Sequence, residues 1–367
     1  MKLCLIYNSA PLYREAIFRA IDDEYDCDWY FGRTKSDIKQ MDTTVLHNVK
    51  YYKIIGDTNR YFLKVGILKL LFKKEYQHFL ILAATRSITD WLFFLLASVF
   101  FRKKRIYIWT HGWYGKEQGF DAKMKLWLYK HVSGTFLYGN YARELLIKEG
   151  ISPEKLYTIH NSLHHDQQIT LRESIKSSNV YRVYFGNNNP VIIFIGRLTK
   201  VKQLDMLVHA LSDLKAQSLF YNLVFVGDGE MKEELQNQVE SLELNNQVWF
   251  YGACYDEKTN AELIYNADLC VAPGNVGLTA MHTMVFGTPV ISHNEFKWQM
   301  PEFEAIHPGE TGDFFEYQNV KSLSETIRKW FYDKQDMREE VRQSCFKEID
   351  TQWTPKFQME VLKKNLK

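Results

Sequence analysis

The sequence predicts an α/β protein with two doubly wound parallel-sheet domains that face each other across a cleft. Three observations favour this fold class. The chain has 367 residues, which is more than one domain of ordinary size and suits two. Short apolar runs alternate with amphipathic stretches in both halves, a pattern typical of strands followed by helices in a parallel sheet. A polar, turn-rich stretch at 166–189 separates the halves.

The first half is a series of strand-like and helix-like segments. In chain order they are KLCLIYN, YREAIFRAID, CDWYFG, HFLILA, ITDWLFFLLASVFF, RIYIWT and GTFLYG. The longest apolar stretch, 91–101, is about half the length of a membrane-spanning helix, and the apolar run before Asn8 is too short for a signal-peptide core. We therefore expect a first domain at 1–165 with neither a leader nor a membrane span.

The second half repeats strand, turn and helix more regularly. Its segments are VIIFIG, LDMLVHALSDLK, NLVFVGDG, MKEELQNQVESL, VWFYG and DLCVAPG. This regularity predicts a second doubly wound domain at 190–345, after a linker at 166–189, with ligands at the carboxyl ends of its strands. The remaining residues, 346–367, predict a helix that could cross back to the first domain.

Charge and cysteine content exclude several classes of protein. Lys and Arg number 46 and Asp and Glu 44, so the net charge of +2 excludes capture of nucleic acid by the whole chain. The five cysteines are odd in number and widely spaced, which indicates neither a disulfide framework nor a zinc site. We expect a reducing, cytoplasmic location and no bound metal. The 22 Tyr, 24 Phe and 9 Trp favour surfaces that meet sugars, lipid headgroups or partners.

A basic turn follows the first strand of the second half. After VIIFIG, which ends at Gly196, the chain reads RLTKVK, with Arg197 first and Lys202 last. At the mouth of an open sheet, an arginine fork and a lysine point charge suit a diphosphate. The alternative is a solvated basic loop.

A glycine-containing loop precedes a helix later in the same half. It reads PGNVGLT at 273–279 and is followed by the helical AMHTMVF. Gly274 and Gly277 allow close approach of a backbone, and the first amides of the helix would face an anion. The alternative is an ordinary helix start in a loop with two glycines.

Taken together, these segments resemble a retaining glycosyltransferase with two Rossmann-like domains, the GT-B fold. The resemblance is to the large bacterial family 4, within glycosyl transferases group 1. It covers about residues 190–330, and the matching segments stand in the order VIIFIGRLTKVKQLDMLVHAL, LVFVGDGEMKEELQ, VWFYGACYDEKTNAELIYNADLCVAP, GLTAMHTMVFGTPVIS and MPEFEAIHPGETGDFF. The stretch LYGNYARELLIKEGISPEKLYTIHN is similar to the family's closing segment of the first domain.

The resemblance implies a reaction that moves a hexosyl unit from a nucleotide-diphosphate sugar to a saccharide or lipid-linked saccharide acceptor, in bacterial surface polysaccharide synthesis. A UDP-sugar is favoured and a GDP-sugar is the second choice, and no cofactor is implied beyond the donor substrate. Arg197 and Lys202 match the residues that grip the diphosphate and assist its departure. The residues that match the phosphate-facing helix start are Gly277, Leu278 and Thr279.

This sequence departs from the family pattern at three positions. Two family glutamates, with seven residues between them, contact the sugar and the ribose, and they fall on Gly274 and His282 here. The sugar contacts would then come from the backbone of Asn275 and Val276, or from a neighbouring side chain. His282 could make one bond to a ribose hydroxyl, and a helix-buried histidine with a local bond is the alternative. The family's usual Gly after the Lys is Gln203.

The first domain offers candidates for the acceptor side. IYIWT is followed by His111 in an aromatic, glycine-containing loop, and the resemblance implies a catalytic or orienting role for it. Trp113 of that loop is placed on the acceptor side. Arg14 could meet an acceptor phosphate, whereas a structural pairing with Glu15 or Asp22 is the alternative.

A basic region with aromatic residues lies between Arg60 and Arg105. Its ten cations oppose only Glu75 and Asp90, which suits peripheral contact with the inner face of a membrane. A solvated face over buried aromatics is the alternative. The cations are Arg60, Lys64, Lys69, Lys73, Lys74, Arg86, Arg102, Lys103, Lys104 and Arg105, and the aromatics among them are Tyr61, Phe62, Phe72, Tyr76 and Phe79.

Two other functions remain open on the sequence. The same fold carries nucleotide-sugar epimerases, which act without an acceptor, although the order of the motifs speaks against one. The missing glutamate pair also leaves room for a non-catalytic partner subunit.

Overall fold

The computed structural model describes residues 2–33 and 38–367, and the chain divides into two compact units. Unit 1 comprises the residues up to His164 together with Thr354–Lys367, and unit 2 comprises His165–Trp353. Each unit contains its own mainly parallel sheet with helices between the strands. The predicted α/β class with two parallel-sheet halves is therefore confirmed.

Unit 1 contains a seven-stranded sheet in the order β3-β2-β1-β6-β7-β8-β9, in which every recorded pair is parallel. A separate antiparallel pair, β4 and β5, precedes β6. The strands are β1 (Lys2–Tyr7), β2 (Asp26–Gly32), β3 (Val49–Tyr52), β4 (Ile54–Gly56), β5 (Phe62–Lys64), β6 (His78–Ile81), β7 (Arg105–Thr110), β8 (Gly134–Leu137) and β9 (Leu156–Thr158).

Four α-helices connect the strands of unit 1, and their starts follow ordinary capping chemistry. The side chain of Ser87 accepts a hydrogen bond from the N–H of Asp90, which satisfies one orphan donor where α2 begins. The helices are α1 (Glu15–Glu24), α2 (Ile88–Phe100), α3 (Gly119–His131) and α4 (Asn140–Lys148). Short 3-10 helices lie at Leu12–Arg14, Thr43–Val45, Ile67–Phe72 and Pro153–Lys155.

Unit 2 contains a six-stranded parallel sheet in the order β12-β11-β10-β13-β14-β15. The strands are β10 (Val191–Ile195), β11 (Asn222–Val226), β12 (Val248–Gly252), β13 (Leu269–Ala272), β14 (Val290–His293) and β15 (Gly312–Phe315). All residues of β10, β11, β13 and β14 are buried, as expected when helices cover both faces. The strand order reverses between β10 and β13, which is where open parallel sheets bind ligands.

The helices of unit 2 include two that precede its first strand. Residues 166–189, predicted as a linker, contain α5 and α6 and lie within unit 2. The helices are α5 (His165–Ser174), α6 (Val180–Phe185), α7 (Leu204–Ala216), α8 (Lys232–Ser241), α9 (Glu257–Asn266), α10 (Leu278–Met284), α11 (Val320–Lys334) and α12 (Arg338–Gln352). Short 3-10 helices lie at Lys200–Lys202, Phe296–Trp298 and Pro301–Ala305.

The last helix, α13 (Pro355–Asn365), belongs to unit 1. The side chain of Thr354 caps its start, and its apolar face joins the core that Phe18 and Ile21 of α1 help to form. Lys363 pairs with Glu24 of α1 at 2.6 Å. The buried residues that α13 and the residue after it contribute to this core are Met359, Leu362 and Leu366. Among the described residues, no helix has the length and apolar character needed to cross a bilayer.

Candidate functional site

The two loops that the sequence singles out lie together in unit 2. The basic turn follows β10 and the glycine-containing loop follows β13, and these strands are neighbours in the sheet. The N–H of Gly274 donates to the carbonyl oxygen of Lys202 at 2.9 Å, so the two loops contact each other directly. Sequence reasoning therefore places both loops at one edge of one sheet, and the structure agrees.

Lys202 is held by the second loop. Its Nζ donates to the backbone carbonyl of Asn275 at 2.6 Å and to the Oδ1 of the same residue at 2.9 Å, with the carbonyl of Val276 at 3.4 Å. Burial lowers the pKa of Lys202 to about 8, while the charge of Glu302 opposes the shift and that of Arg197 adds to it. Lys202 is thus an oriented, partly desolvated cation.

Arg197 is an exposed cation of the same turn. Its neighbour Leu198 is fully buried, and the N–H of Leu198 donates to the carbonyl of Asp228 at 2.9 Å, which fixes the backbone here. Across residues 2–33 and 38–367, the Arg197 guanidinium forms no ion pair and no hydrogen bond. Its fork is available for an anion that arrives from solvent.

The start of α10 adjoins Lys202. Gly277 precedes it with φ 55° and ψ −149°, a backbone conformation that is essentially restricted to glycine. A Cβ at this position would lie 3.8 Å from Nζ of Lys202. The N–H groups of Leu278 and Thr279 are in the first turn and have no acceptor within the helix. The Thr279 hydroxyl donates to the carbonyl of Ile195 at 3.0 Å and joins the helix start to β10.

The backbone just before this helix is already engaged. The N–H of Val276 donates to Oε1 of Gln299 at 2.9 Å, and Gln299 in turn donates to the hydroxyl of Ser292 at 2.8 Å. The carbonyls of Asn275 and Val276 face the Lys202 ammonium. Sequence reasoning missed Gln299, because no local pattern marks a support 23 residues away from its partner.

Two of the departures from the family pattern have a backbone explanation. A Cβ on Gly274 would lie 2.1 Å from the carbonyl oxygen of Val201, so no side chain fits at this position with the loops in contact. Gln203 has φ 48° and ψ 43°, the left-handed conformation that glycine adopts without strain.

His282 has a carboxylate partner. Its Nε2 lies 3.0 Å from Oε1 of Glu257, and the Nε2 of Gln168 donates to the same oxygen at 3.0 Å. Burial raises the pKa of Glu257, but the hydrogen bond and charge of His282 outweigh it, so that the pKa is lowered overall. Sequence reasoning missed Glu257 and Gln168, since neither stands in a recognisable motif. A carboxylate is nevertheless present beside the position where the family has a glutamate.

In unit 1, His111 directly follows β7 and is partly exposed. Its ring centre lies 4.7 Å from that of Tyr138. Burial, with a smaller contribution from the charge of Arg14, lowers the pKa of His111 to about 4. His111 is therefore a neutral imidazole near pH 7, suited to hydrogen bonding rather than to charge compensation.

Two acceptor-side predictions change once burial is known. Trp113 is 4% exposed and packs in the apolar core of unit 1, so its placement on the acceptor side is corrected to a structural role. Its neighbouring glycines suggested a surface loop, but the indole fills the core. Arg14 is buried as well, at 5% exposure, and among the described residues it forms no ion pair with Glu15 or Asp22, the alternative that the sequence offered. Glu15 pairs with Arg19, and Asp22 accepts from Trp29, so neither neutralises Arg14.

The basic region between Arg60 and Arg105 is smaller than its composition indicates. Lys64 is 2% exposed and its ammonium lies 2.8 Å from Asp90, so it belongs to a buried ion pair. Three of the five aromatics are buried, namely Phe62, Tyr76 and Phe79. One face of α2 exposes four apolar side chains, with Ile88 at 43%, Leu92 at 42%, Leu95 at 48% and Val99 at 50%.

Within the described part of the chain, no group of three or more His, Cys, Asp or Glu side chains could hold a metal ion. Arg197 and Lys202 of the basic turn, together with the start of α10, are groups that could hold an anion. The arrangement can neutralise a diphosphate through one exposed guanidinium, one desolvated ammonium and first-turn amides.

Residues 182–347 match the family described as Glycosyl transferases group 1. An uncharacterized 41.2 kDa protein in the cps region of Klebsiella pneumoniae is 28% identical over 207 residues, which cover 54% of this chain and 53% of that protein. An uncharacterized glycosyltransferase of Methanocaldococcus jannaschii is 28% identical over 149 residues, covering 40% of this chain and 35% of that protein. The matches thus span about half or less of the length of these relatives.

Among solved structures, Anabaena HepE in complex with UDP is similar over 99% of both chains, with a TM-score of 0.72 and 16% identity. This likeness shows the fold, that of the GT-B glycosyltransferases. The family match covers less than half of the chain; together with the names of the relatives, it supports the predicted similarity of the second half to group 1 glycosyltransferases.

Proposed function

We propose that this protein is a retaining glycosyltransferase of family 4 that moves a hexosyl unit from a nucleotide-diphosphate sugar to a hydroxyl of a saccharide or lipid-linked saccharide. The observation that carries the proposal is the meeting of Arg197, Lys202 and the start of α10 at the carboxyl ends of β10 and β13. This site lies within the segment that matches the glycosyltransferase family. It concentrates positive charge where open parallel sheets bind ligands.

The donor's diphosphate is the leaving group in such a transfer, and negative charge grows on it as the glycosidic bond breaks. Arg197 would offer its free fork to one phosphate, while Lys202 and the first-turn amides of Leu278 and Thr279 would face the other. Such preorganised donors contribute most where water is excluded, and losing one typically costs about 100-fold to 1,000-fold in rate. Asn275 holds Lys202 in place before the donor arrives.

A UDP-sugar is our first choice of donor and a GDP-sugar the second. The similar Anabaena protein was crystallised with UDP and with UDP-glucose. We assign His282 to the nucleotide ribose: in the tautomer whose Nε2–H donates to Glu257, Nδ1 would accept a hydrogen bond from a ribose hydroxyl. Gly274 has no side chain to contact the sugar, so the backbone of Asn275 and Val276, or a neighbouring side chain, would contact it.

In unit 1 we assign His111 to orienting a substrate hydroxyl by a hydrogen bond. A neutral ring suits this role, and burial keeps the ring neutral near pH 7 because it lowers the pKa to about 4. Nδ1 of His111 is buried and has no hydrogen-bond partner among residues 2–33 and 38–367. The ring thus has a polar atom to offer a substrate.

Peripheral contact with the inner face of a membrane is part of the proposal, since lipid-linked acceptors lie there. The apolar face of α2 (Ile88, Leu92, Leu95 and Val99) is flanked by exposed cations, and clustered cations contribute about 1 kcal/mol each near an anionic bilayer. Leu95→Glu should weaken cosedimentation with phosphatidylglycerol vesicles at least about tenfold. Phe120→Glu, on an exposed residue of α3, is the control and should leave cosedimentation unchanged.

A non-catalytic partner subunit is the second candidate. The specific observation in its favour is that Gly274 and His282 replace both family glutamates, and that no side chain fits at Gly274. Such a subunit would bind nucleotide sugar weakly or not at all and would never turn it over. For an epimerase of the same fold, we find no comparable feature among the described residues.

The deciding experiment incubates the full chain with a panel of UDP- and GDP-sugars and follows both binding by calorimetry and slow hydrolysis of the donor. We expect one donor to bind and to be hydrolysed, and the double variant Arg197→Ala/Lys202→Ala to lose both activities while its circular dichroism is unchanged. Lys200→Ala is the matched control, because Lys200 is an exposed cation in the same turn. Hydrolysis that survives in the double variant would remove the mechanism, and binding without any hydrolysis or transfer would favour the partner subunit.

A further inference from the structure

Arg14 occupies an unusual place in unit 1. It ends the 3-10 helix after β1 and is 5% exposed. Its guanidinium carbon lies within 6.0 Å of the centres of five aromatic rings. The rings and their distances are Trp109 at 5.0 Å, Tyr138 at 5.1 Å, Tyr7 and Tyr13 at 5.9 Å, and Phe18 at 6.0 Å.

No negative charge balances this cation within the described residues. Arg14 takes part in none of the ion pairs among them, and its two nearest acidic neighbours in sequence are engaged elsewhere, Glu15 with Arg19 and Asp22 with Trp29. A buried charge without a partner is strongly unfavourable, so proteins retain one where a ligand supplies the opposite charge or where other contacts compensate.

The surrounding polar atoms lack partners too. Nη1 of Arg14, Nε1 of Trp109, the hydroxyl of Tyr138 and Nδ1 of His111 are all buried without a hydrogen-bond partner in the described part of the chain. The first two are donors only, and the tyrosine hydroxyl can also donate. The Tyr7 hydroxyl interacts with the Arg14 guanidinium, but burial raises the pKa of this hydroxyl, so it supplies one neutral oxygen and no negative charge. Buried donors without an acceptor are rare in native structures, and the cluster indicates that a further acceptor comes from outside.

Cation–π contacts alone do not account for the arrangement. Aromatic faces attract a guanidinium above and below its plane, but its N–H groups lie in the plane and need oxygen acceptors. The rings therefore fix the orientation of Arg14 and leave the edge of the fork for a planar or tetrahedral oxyanion. Tyr13 and His111 are partly exposed, so the cluster reaches the surface.

We propose that Arg14 binds an oxyanion carried by the acceptor, a phosphate or a carboxylate, with the indole N–H of Trp109 and the hydroxyl of Tyr138 as further donors. The acceptor is then an acidic saccharide or a sugar phosphate rather than a neutral sugar. The inference rests on the proposed function, because only a transferase has an acceptor. It concerns residues of unit 1 and shares none with the donor site in unit 2.

The test uses calorimetry on the full chain with four probes: glucose, inorganic phosphate, glucose 1-phosphate and glucuronate. Wild-type protein should bind at least one of the three anions and bind glucose at least tenfold more weakly. Glucose 1-phosphate and glucuronate distinguish a phosphate from a carboxylate, and inorganic phosphate reports the anion alone. Arg14→Gln should weaken binding of the anion at least tenfold. Arg19→Gln removes an exposed arginine five residues away and should leave binding of the anion unchanged.

Arg14→Lys guards against a variant that simply fails to fold. It keeps the charge but loses the fork, and we expect it to fold and to bind the anion with intermediate affinity. The inference is overturned if no anion binds to the wild type, or if Arg14→Lys and Arg14→Gln both fold and bind the anions as the wild type does. UDP binding, measured on the same samples, separates this failure from that of the proposed function. Intact UDP binding with no anion site would overturn only the role of Arg14.

Discussion

The ammonium of Lys202 lies 2.6 Å from the backbone carbonyl of Asn275 and 2.9 Å from the side-chain oxygen of the same residue. A single asparagine thus holds this cation through two oxygen atoms and ties the loop after β10 to the loop after β13. Burial desolvates the ammonium, which is why the pKa of Lys202 falls to about 8 rather than staying near the ordinary value for lysine.

Donor affinity should decline in mildly alkaline solution. The free protein loses the Lys202 proton as the pH rises through about 8, and a neutral amine no longer attracts a diphosphate. We expect the affinity for UDP to be constant near pH 7 and to fall by up to about tenfold per pH unit above 8. Because Arg197 stays charged throughout this range, the fall would report the loss of charge on Lys202. Titration calorimetry between pH 6.5 and 9.5, at roughly constant ionic strength, would measure this.

Lys202→Arg provides the control for this pH dependence. An arginine remains protonated over the whole range, so the variant should bind UDP more weakly at pH 7 yet show no decline above pH 8. A decline of the same size in wild type and variant would assign the titration to another group.

Removing the imidazole of His282 should reduce donor affinity. His282→Ala loses one neutral hydrogen bond to the ribose, worth about 1 kcal/mol, or roughly fivefold in the dissociation constant of UDP. Replacing UDP by its 2′- or 3′-deoxyribose analogue should reduce the affinity less in the variant than in the wild type. Equal losses in both proteins would mean that His282 does not contact the ribose.

A side chain at position 274 should separate the two loops. Gly274→Ala places a Cβ about 2.1 Å from the Val201 carbonyl, so we expect the free energy of unfolding to fall by about 1–3 kcal/mol and UDP binding to weaken. Urea unfolding and calorimetry would measure the two effects. Gly119→Ala is the comparison, because a Cβ there meets no atom within 4 Å and costs only the strain of φ +68°, about 1 kcal/mol.

Replacing Gln203 by glycine should stabilise the protein. Gln203 has φ 48°, a conformation that costs a residue with a Cβ about 1–2 kcal/mol. Glycine removes this strain, but it also increases the conformational entropy of the unfolded chain, which offsets part of the gain in stability. Gln203→Gly should therefore raise the free energy of unfolding by up to about 1 kcal/mol. Gln217→Gly, at φ −89° after the same helix, should instead lower it by about 0.5–1 kcal/mol.

Replacing one member of the buried ion pair of Lys64 and Asp90 should destabilise the protein much more than replacing both. Lys64→Met leaves Asp90 buried and uncompensated, which should cost about 3–5 kcal/mol of unfolding free energy. Adding Asp90→Asn should restore much of that loss, since the amide can still accept from the N–H of Ala84. If the double variant were as unstable as Lys64→Met alone, the charge would not be the cause.

Sequence patterns predicted the site best where the evidence was local. The run VIIFIG ends at Gly196, and the carboxyl ends of parallel strands share one edge of a sheet, so Arg197 and Lys202 could be placed at the ligand-binding edge of the second sheet. The glycine at 277 marked the backbone turn because few other residues adopt its conformation. These inferences needed no knowledge of tertiary packing.

The residues that sequence reasoning missed or misplaced depend on distant partners. Glu257 reaches His282 from another helix, and its role is invisible in the spacing of either segment. Trp113 looked exposed because its loop contains glycines, yet the apolar core of unit 1 accommodates its indole. Lys64 counted as a surface cation until its partner 26 residues away placed it in the interior.

The return of α13 to unit 1 has a consequence for biosynthesis. Met359, Leu362 and Leu366 complete a core that includes β1, so this core cannot finish folding until α13 has left the ribosome. Unit 2 lies between these two parts of unit 1 in the chain. A truncation of the last dozen amino acids would accordingly expose apolar surface at the opposite terminus and mark the nascent product for degradation.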